Sequence, residues 1–131
     1  MGNSRTITVI TGQMAICRLP SNAPLPGWME TPVDFFSITR TRDELSIVCK
    51  EACIPVHIKC ERDWSLLKVD GPLDFALTGI LASLVSPLAH AGISVFAIST
   101  FDTDYLLVKS DRLEEAVNIL GDFCTINMEL S

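Results

Sequence analysis

Apolar and polar residues alternate over Arg5–Ile10, with Ile7 and Val9 set against Thr6 and Thr8. This two-residue period is that of a half-buried strand. Gly12 reads as a turn, after which Met14–Leu19 resumes as a second strand. Pro20–Pro26, followed by Gly27, is a breaker-rich loop, and Trp28 and Met29 are placed to anchor it. Phe35–Thr39 and Leu45–Cys49 read as two more strands joined by the polar link Arg40–Glu44. Val56–Cys60, beyond Pro55, reads as another, and Trp64–Val69 opens the second half.

In that second half the pattern changes period. Gly71-Pro72-Leu73-Asp74 reads as a helix start, with proline suited to the first helical position and aspartate to the first turn. The following stretch, Phe75–His90, is apolar around nearly its whole circumference (Leu77, Ile80, Leu81, Leu84, Val85, Leu88). Such a helix is expected to be covered on more than one side, by the sheet and by a neighbouring domain, a subunit or the first half of the chain. Pro87 removes a bond back to Ser83, and Gly92 stops the helix. Val95–Ser99 and Tyr105–Val108 then form a β-hairpin across the polar link Thr100–Asp104. A second helix spans Leu113–Phe123, capped by Ser110 or Asp111, with Leu113, Ala116, Val117, Leu120 and Phe123 on its buried face. Thr125–Met128 is the closing strand. The order β-α-β-β-α-β predicts an α+β, ferredoxin-like fold with antiparallel sheets and helices on one face.

An internal echo extends this reading to the first half. When Phe36–Val48 is laid over Phe96–Val108, Phe36, Ile38 and Val48 fall on Phe96, Ile98 and Val108. Both segments read strand, polar turn, strand, as a duplicated unit would. The first copy has no clear helix on either side of its hairpin and reads as degraded. The expected division is residues 1–61 for the degenerate repeat and 62–131 for the complete one.

Composition narrows the function classes. The chain has 131 residues, 48% hydrophobic and 20% charged, with a net charge of −6. This describes an ordered chain able to bury a core. It lacks the basic face that nucleic acid or an anionic membrane surface requires. Met1–Thr11 alternates instead of running apolar, so no secretory leader is expected, and the expected location is cytoplasmic. Five cysteines without framework spacing suit a reducing compartment. Cys49 and Cys53 have no second metal-spaced pair beside them, so neither a metal nor a cofactor is expected. His57 and His90 read as packed residues, and no spacing suggests a nucleophile.

From Trp64 to Phe123 the chain closely resembles ACT domains, small regulatory modules of the ferredoxin-like fold that bind amino acids. The matching motifs are GPLDF (Gly71–Phe75), GISVFAISTFDTDYLLV (Gly92–Val108) and LEEAVNIL (Leu113–Leu120). The string ISTFDTDYLLV is the specific part. It is similar to stand-alone proteins with two ACT-like repeats, related to the CASTOR-type arginine sensors of animals. ICRLP (Ile16–Pro20), FFSITRTRDELSIVC (Phe35–Cys49) and CERDW (Cys60–Trp64) extend the resemblance over nearly the whole chain. The resemblance implies a ligand where one repeat's helix start meets a partner's hairpin.

The residues themselves suit that role. Gly71, Pro72, Leu73, Asp74 and Phe75 would offer free backbone N–H groups at a positive helix end, a seat for a carboxylate. Within Ser99, Thr100, Phe101, Asp102, Thr103 and Asp104, either aspartate could take an ammonium or guanidinium, and Phe101 could cover an apolar stem. Asp102 and Asp104 equally suit turn and capping bonds, and Asp74 suits the first helical turn. Arg40 and Arg42 occupy the first repeat's version of the turn, either as carboxylate ligands or as solvated surface arginines. The leading expectation is an amino-acid-binding regulatory module that is not an enzyme. Its expected partners are an amino acid, a second copy in a homodimer and a regulated protein. The alternatives are a ligand-free interaction module and, last, a small acid/base enzyme using Asp102 or Asp104.

Overall fold

The computed structural model describes residues 5–30, 35–70 and 79–129. The chain groups into two compact units. One is Gly12–Trp64, termed here the sheet unit. The other joins Met1–Thr11 to Ser65–Ser131 and is termed the helical unit. Two long strands belong to both, β1 (Arg5–Leu19) and β4 (Cys60–Val69).

In the sheet unit, β2 (Ser37–Arg40) pairs with β3 (Leu45–Lys50), which pairs with the C-terminal half of β1. The strand order here is β4-β1-β3-β2, and the described residues of this unit hold no α-helix. A loop with one 3-10 turn, Gly27–Glu30, precedes β2, and the turn Glu51–Cys53 follows β3. Ala15, Cys17, Leu45, Ile47, Cys49 and Ile54 make the core, with Trp28 packed against it as the sequence suggests. The anchoring role expected of Met29 falls on a side chain outside the description. The strand expected over Val56–Cys60 does not form over Val56–Lys59, and only its last residue, Cys60, is in a strand, as the first of β4. Val56 and Lys59 are exposed in the turns before β4, and Val56 keeps 96% of its surface.

The helical unit carries the complete motif. Its elements are β4, α1 (Ile80–His90), β5 (Val95–Ser99), β6 (Asp104–Lys109), α2 (Leu113–Leu120) and β7 (Cys124–Met128). In the plain motif the first and last strands pair directly. Here the N-terminal half of β1 stands between them, giving the order β7-β1-β4-β6-β5, with β1 and β7 parallel. Ile7, Val9, Leu67, Val69, Leu106 and Val108 face Leu84, Leu88, Ala116 and Leu120 of the two helices. Each such aliphatic side chain contributes about 1.5–3 kcal/mol on burial.

Several element boundaries differ from the sequence reading for local reasons. Gly12 is no turn but a left-handed residue (φ +99°) inside the continuous strand β1. The bonds Asp70 N–H to Thr6 O and Arg18 N–H to Lys59 O show that β1 carries one residue more than β4 over their shared length. That extra residue is a β-bulge, which a glycine in this conformation permits. A Cβ at Gly12 would sit 2.8 Å from Lys50 Nζ, the far end of a flexible side chain that can shift aside, so the constraint is the left-handed backbone itself. Gly12→Val is therefore expected to lower stability by about 1–3 kcal/mol in urea denaturation; a change below about 0.5 kcal/mol would refute the constraint.

Helix α1 is described from Ile80, after Gly79, itself left-handed (φ +78°), and the part of the expected run before Gly79 lies outside the described residues. Its outward positions are Ala82, Ser83, Ser86, Ala89 and His90, all exposed. They are small or polar, so this face needs none of the extra cover expected for it. Gly92 ends the helix as expected, with Ile93 N–H closing on Leu88 O at 3.0 Å. Neither Ser110 nor Asp111 caps α2. Both lie in a 3-10 turn, Ser110–Arg112, and the Ser110 hydroxyl instead meets Ser65 Oγ at 2.8 Å. Arg112 ties the two helices together, pairing with Glu115 at 2.7 Å and donating to the Ala91 carbonyl at 3.2 Å.

Candidate functional site

One end of the helical unit gathers the chemistry. β4 finishes there at Val69, β1 and β7 start there, and the β5–β6 hairpin turns there. The helix start at Gly79 and the end of α2 lie at the same end. The hairpin turn is held from within. Thr100 N–H donates to Thr103 O at 2.8 Å, the Thr100 hydroxyl to the same carbonyl at 3.0 Å, and Thr103 N–H to Thr100 Oγ1 at 3.2 Å. The turn is then fixed to β4, because the buried Thr103 hydroxyl donates to the Val69 carbonyl. Ser99 and Asp104 are directly paired across the ladder, and Ser99 Oγ donates to Asp104 Oδ1 at 2.6 Å. That bond sets one carboxylate oxygen and leaves the orientation of the other defined. Asp102 and Phe101 project outward, Phe101 with 79% of its surface exposed.

Residues the sequence did not single out complete this end. Asp70 accepts from the Thr8 hydroxyl at 2.9 Å, and its N–H donates to Thr6 O at 2.9 Å. A cavity of about 250 Å³ opens at the start of α1, lined by Arg5, Gly79, Ile80, Ser83, Leu84, Phe123 and Cys124. No side chain caps α1 and no acidic residue lies in its first turn, so an electropositive helix end lines this cavity together with Arg5. Gly79 was readable as a breaker within the apolar run. Arg5 carries no such signal, since only the strand order brings it here. Phe123, expected on the buried face of α2, is 41% exposed beside this cavity, because α2 ends at Leu120.

Of the other sequence candidates, Gly71, Pro72, Leu73, Asp74 and Phe75 lie outside the described residues. Arg40 and Arg42 belong to the sheet unit. Arg40 donates to the carbonyls of Ser21 and, at 2.8 Å, Ala23, which fastens the proline-rich loop. Arg42 is exposed in the turn after β2. Among the described residues no three metal-ligating side chains converge, and no helix is long and apolar enough to cross a membrane.

A family model for the ACT domain matches residues 59–122, and a model of an N-terminal domain matches residues 12–57. The human protein CASTOR3P is 31% identical over 110 residues, covering 74% of this chain and 68% of that protein. The chain belongs to the ACT-domain family. The matched ACT domain runs from the start of β4 through α2, so the hairpin turn and the helix start both lie within it. The cytosolic arginine sensor for mTORC1 subunit 1 of Rattus norvegicus is 29% identical over 110 residues, 78% of this chain. The present ACT protein spans only 33% of that sensor's length. A solved protein of Agrobacterium tumefaciens superposes with a TM-score of 0.92 at 38% identity, covering 99% of this chain and 97% of that one. The ferredoxin-like ACT fold thus accounts for β4 through α2, and the overall chain path is shared with the Agrobacterium protein.

Proposed function

We propose that this ACT protein is an amino-acid-binding regulatory module, built from repeats over 1–61 and 62–131, that takes its ligand at the helix-start end of the helical unit. The observation that carries the reading is the cavity of about 250 Å³ with Arg5 and the uncapped start of α1 on its wall. It is smaller than the roughly 300–1,000 Å³ of pockets for drug-sized ligands, which suits a single amino acid. The ligand's carboxylate meets Arg5 and the helix end, with Gly71, Pro72, Leu73, Asp74 and Phe75 as further proposed ligand residues. Its cationic group meets Asp104, pre-oriented by Ser99, with Asp102 and Phe101 at the rim. The module acts without catalysis, in the cytoplasm, as a homodimer through the outer edge of β5, the last strand of its sheet. Ligand that favours one arrangement of the copies then alters what a regulated protein binds. Arginine is the first candidate, since a relative named for sensing it covers most of the chain.

The test is a thermal-shift screen against the twenty amino acids. A ligand at 100 times its Kd adds about 2.7 kcal/mol, a rise of about 10 °C for a chain of this size. One or two selective shifts, abolished by Asp104→Ala, are the expected result. A flat screen, or a shift that Asp104→Ala leaves intact, would overturn the proposal. The exposure of Phe101 favours a second reading, a ligand-free interaction module. That reading requires the flat screen together with a change in self-association on Phe101→Ser, measured by sedimentation.

A further inference from the structure

Three of the five cysteines converge on one face of the sheet unit. Cys17 on β1 and Cys49 on β3 belong to its buried core, and Cys60 at the start of β4 packs against them. The thiols of Cys49 and Cys60 both bear on that of Cys17. Strand register separates these two contacts. Cys49 pairs with Ala15, and Cys17 with Ile47, which makes Cys17 and Cys49 diagonal neighbours. Diagonal Cα atoms lie about 7–8 Å apart, outside the roughly 4.4–6.8 Å that a disulfide spans.

The Cys60 contact differs. Arg18 N–H donates at 3.1 Å to the carbonyl of Lys59, the residue just before β4, and this bond flanks the first pair of the β1–β4 ladder. Cys17 and Cys60 are then the adjoining pair without hydrogen bonds between them. In such pairs the Cα atoms stand about 4.5 Å apart and the side chains are closest, within disulfide reach.

We propose that Cys17 and Cys60 form a redox modification site, closing to a disulfide by exchange with a low-molecular-weight disulfide. Cys60 is the point of entry, half-buried where Cys17 and Cys49 are each 1% exposed. Its thiolate attacks one sulfur of the small disulfide and expels the other as a thiolate. The mixed disulfide is then attacked at the Cys60 sulfur by Cys17, whose proton passes to the departing second thiolate. Two protein thiols lose two electrons and two protons, and one small disulfide becomes two thiols. Cys49 touches Cys17 but stays reduced, because its register holds it out of reach. The neighbouring Cys49 thiol and burial hold Cys17 above the usual thiol range, and burial raises Cys60 as well. Fewer thiolates are thus present at neutral pH than for free cysteines, and the exchange accelerates as pH rises past the ordinary thiol value.

The full chain is incubated with oxidised glutathione, alkylated, and mapped by mass spectrometry. The expected result is loss of two of the five thiols, a Cys17–Cys60 cross-linked peptide pair, and no glutathione retained. Cys49→Ser, Cys53→Ser and Cys124→Ser leave the cross-link in place, whereas Cys60→Ser abolishes it. Cys60 is the half-buried partner, so its variant keeps the fold testable without disturbing the core. A Cys17–Cys49 link, a link through Cys53 or Cys124, glutathione left on Cys60 with Cys17 free, or five unreacted thiols would each overturn the proposal.

Discussion

Leu106→Ala is expected to lower the stability of the protein by about 3–5 kcal/mol, the largest effect of any single truncation considered. Leu106 lies on β6 with no exposed surface and belongs to the core beneath α1 and α2. Removing its isobutyl group forfeits the transfer energy and leaves a cavity between two helices and a sheet, where the surroundings can close only partly. Strand β6 is flanked on both sides, by β4 and β5, which limits the collapse further. Typical single domains hold only about 5–15 kcal/mol in total, so this variant approaches the threshold of folding. The measurement is urea denaturation followed by circular dichroism, with a lowered midpoint and an unchanged slope. Val56→Ala is the contrast, because Val56 is almost fully exposed and its loss should change stability by less than about 0.5 kcal/mol. Equal effects from the two variants would refute the packing described for the helical unit.

That core was legible in the chain because local periodicity and tertiary role coincide there. The hairpin from Val95 to Lys109, the stop at Gly92 and the closing strand after Phe123 all follow from patterns within a few residues of themselves. The misreadings arise where a local signal has two physical meanings. A glycine with φ > 0 serves a turn and a bulge equally well, and only the pairing of β1 with β4 selects the bulge at Gly12. Val56 and Ile58 alternate with polar residues as a strand would, yet Pro55 and the turns around them keep this stretch off the ladder. Phe123 fits the helical period of α2, but Gly121 follows the last helical residue, and the chain leaves the helix before the period returns.

The site was legible in part, for a related reason. The acidic turn is contiguous in sequence, so Ser99, Asp104 and the two threonines could be singled out together. Arg5 is separated from that turn by most of the chain and meets its end of the sheet only because β1 stands between β4 and β7, while Asp70 comes there at the end of β4, beside β6. No periodicity encodes that insertion. The first half of the chain has its own version of the limit. Arg40 lies in the sequence echo of the acidic turn, but its guanidinium is spent on the loop carbonyls of Ser21 and Ala23, a contact that no local pattern signals.

Thr103→Val is the second large effect expected, and it separates the positioning of the site from its chemistry. Thr103 is 7% exposed, and its hydroxyl donates to the carbonyl of Val69 at the end of β4. Valine has nearly the same shape, so packing is retained while a buried carbonyl loses its donor, at a cost of about 1–3 kcal/mol. The backbone bonds within the turn do not involve that hydroxyl and should survive. What is lost is the tie between the hairpin turn and the strand leading to the helix start. The two seats proposed for an amino acid, one cationic and one anionic, are then no longer held at a fixed separation. Ligand affinity should therefore fall about 10-fold or more, beyond the loss of stability, as expected when preorganisation is removed. Thr103→Ser keeps the donor and should restore most of the affinity. Calorimetric titration of both variants with whichever amino acid the thermal screen selects decides the matter. If valine and serine variants bind alike, the turn is not positioned through Val69, and the ligand does not depend on the geometry of this end of the sheet.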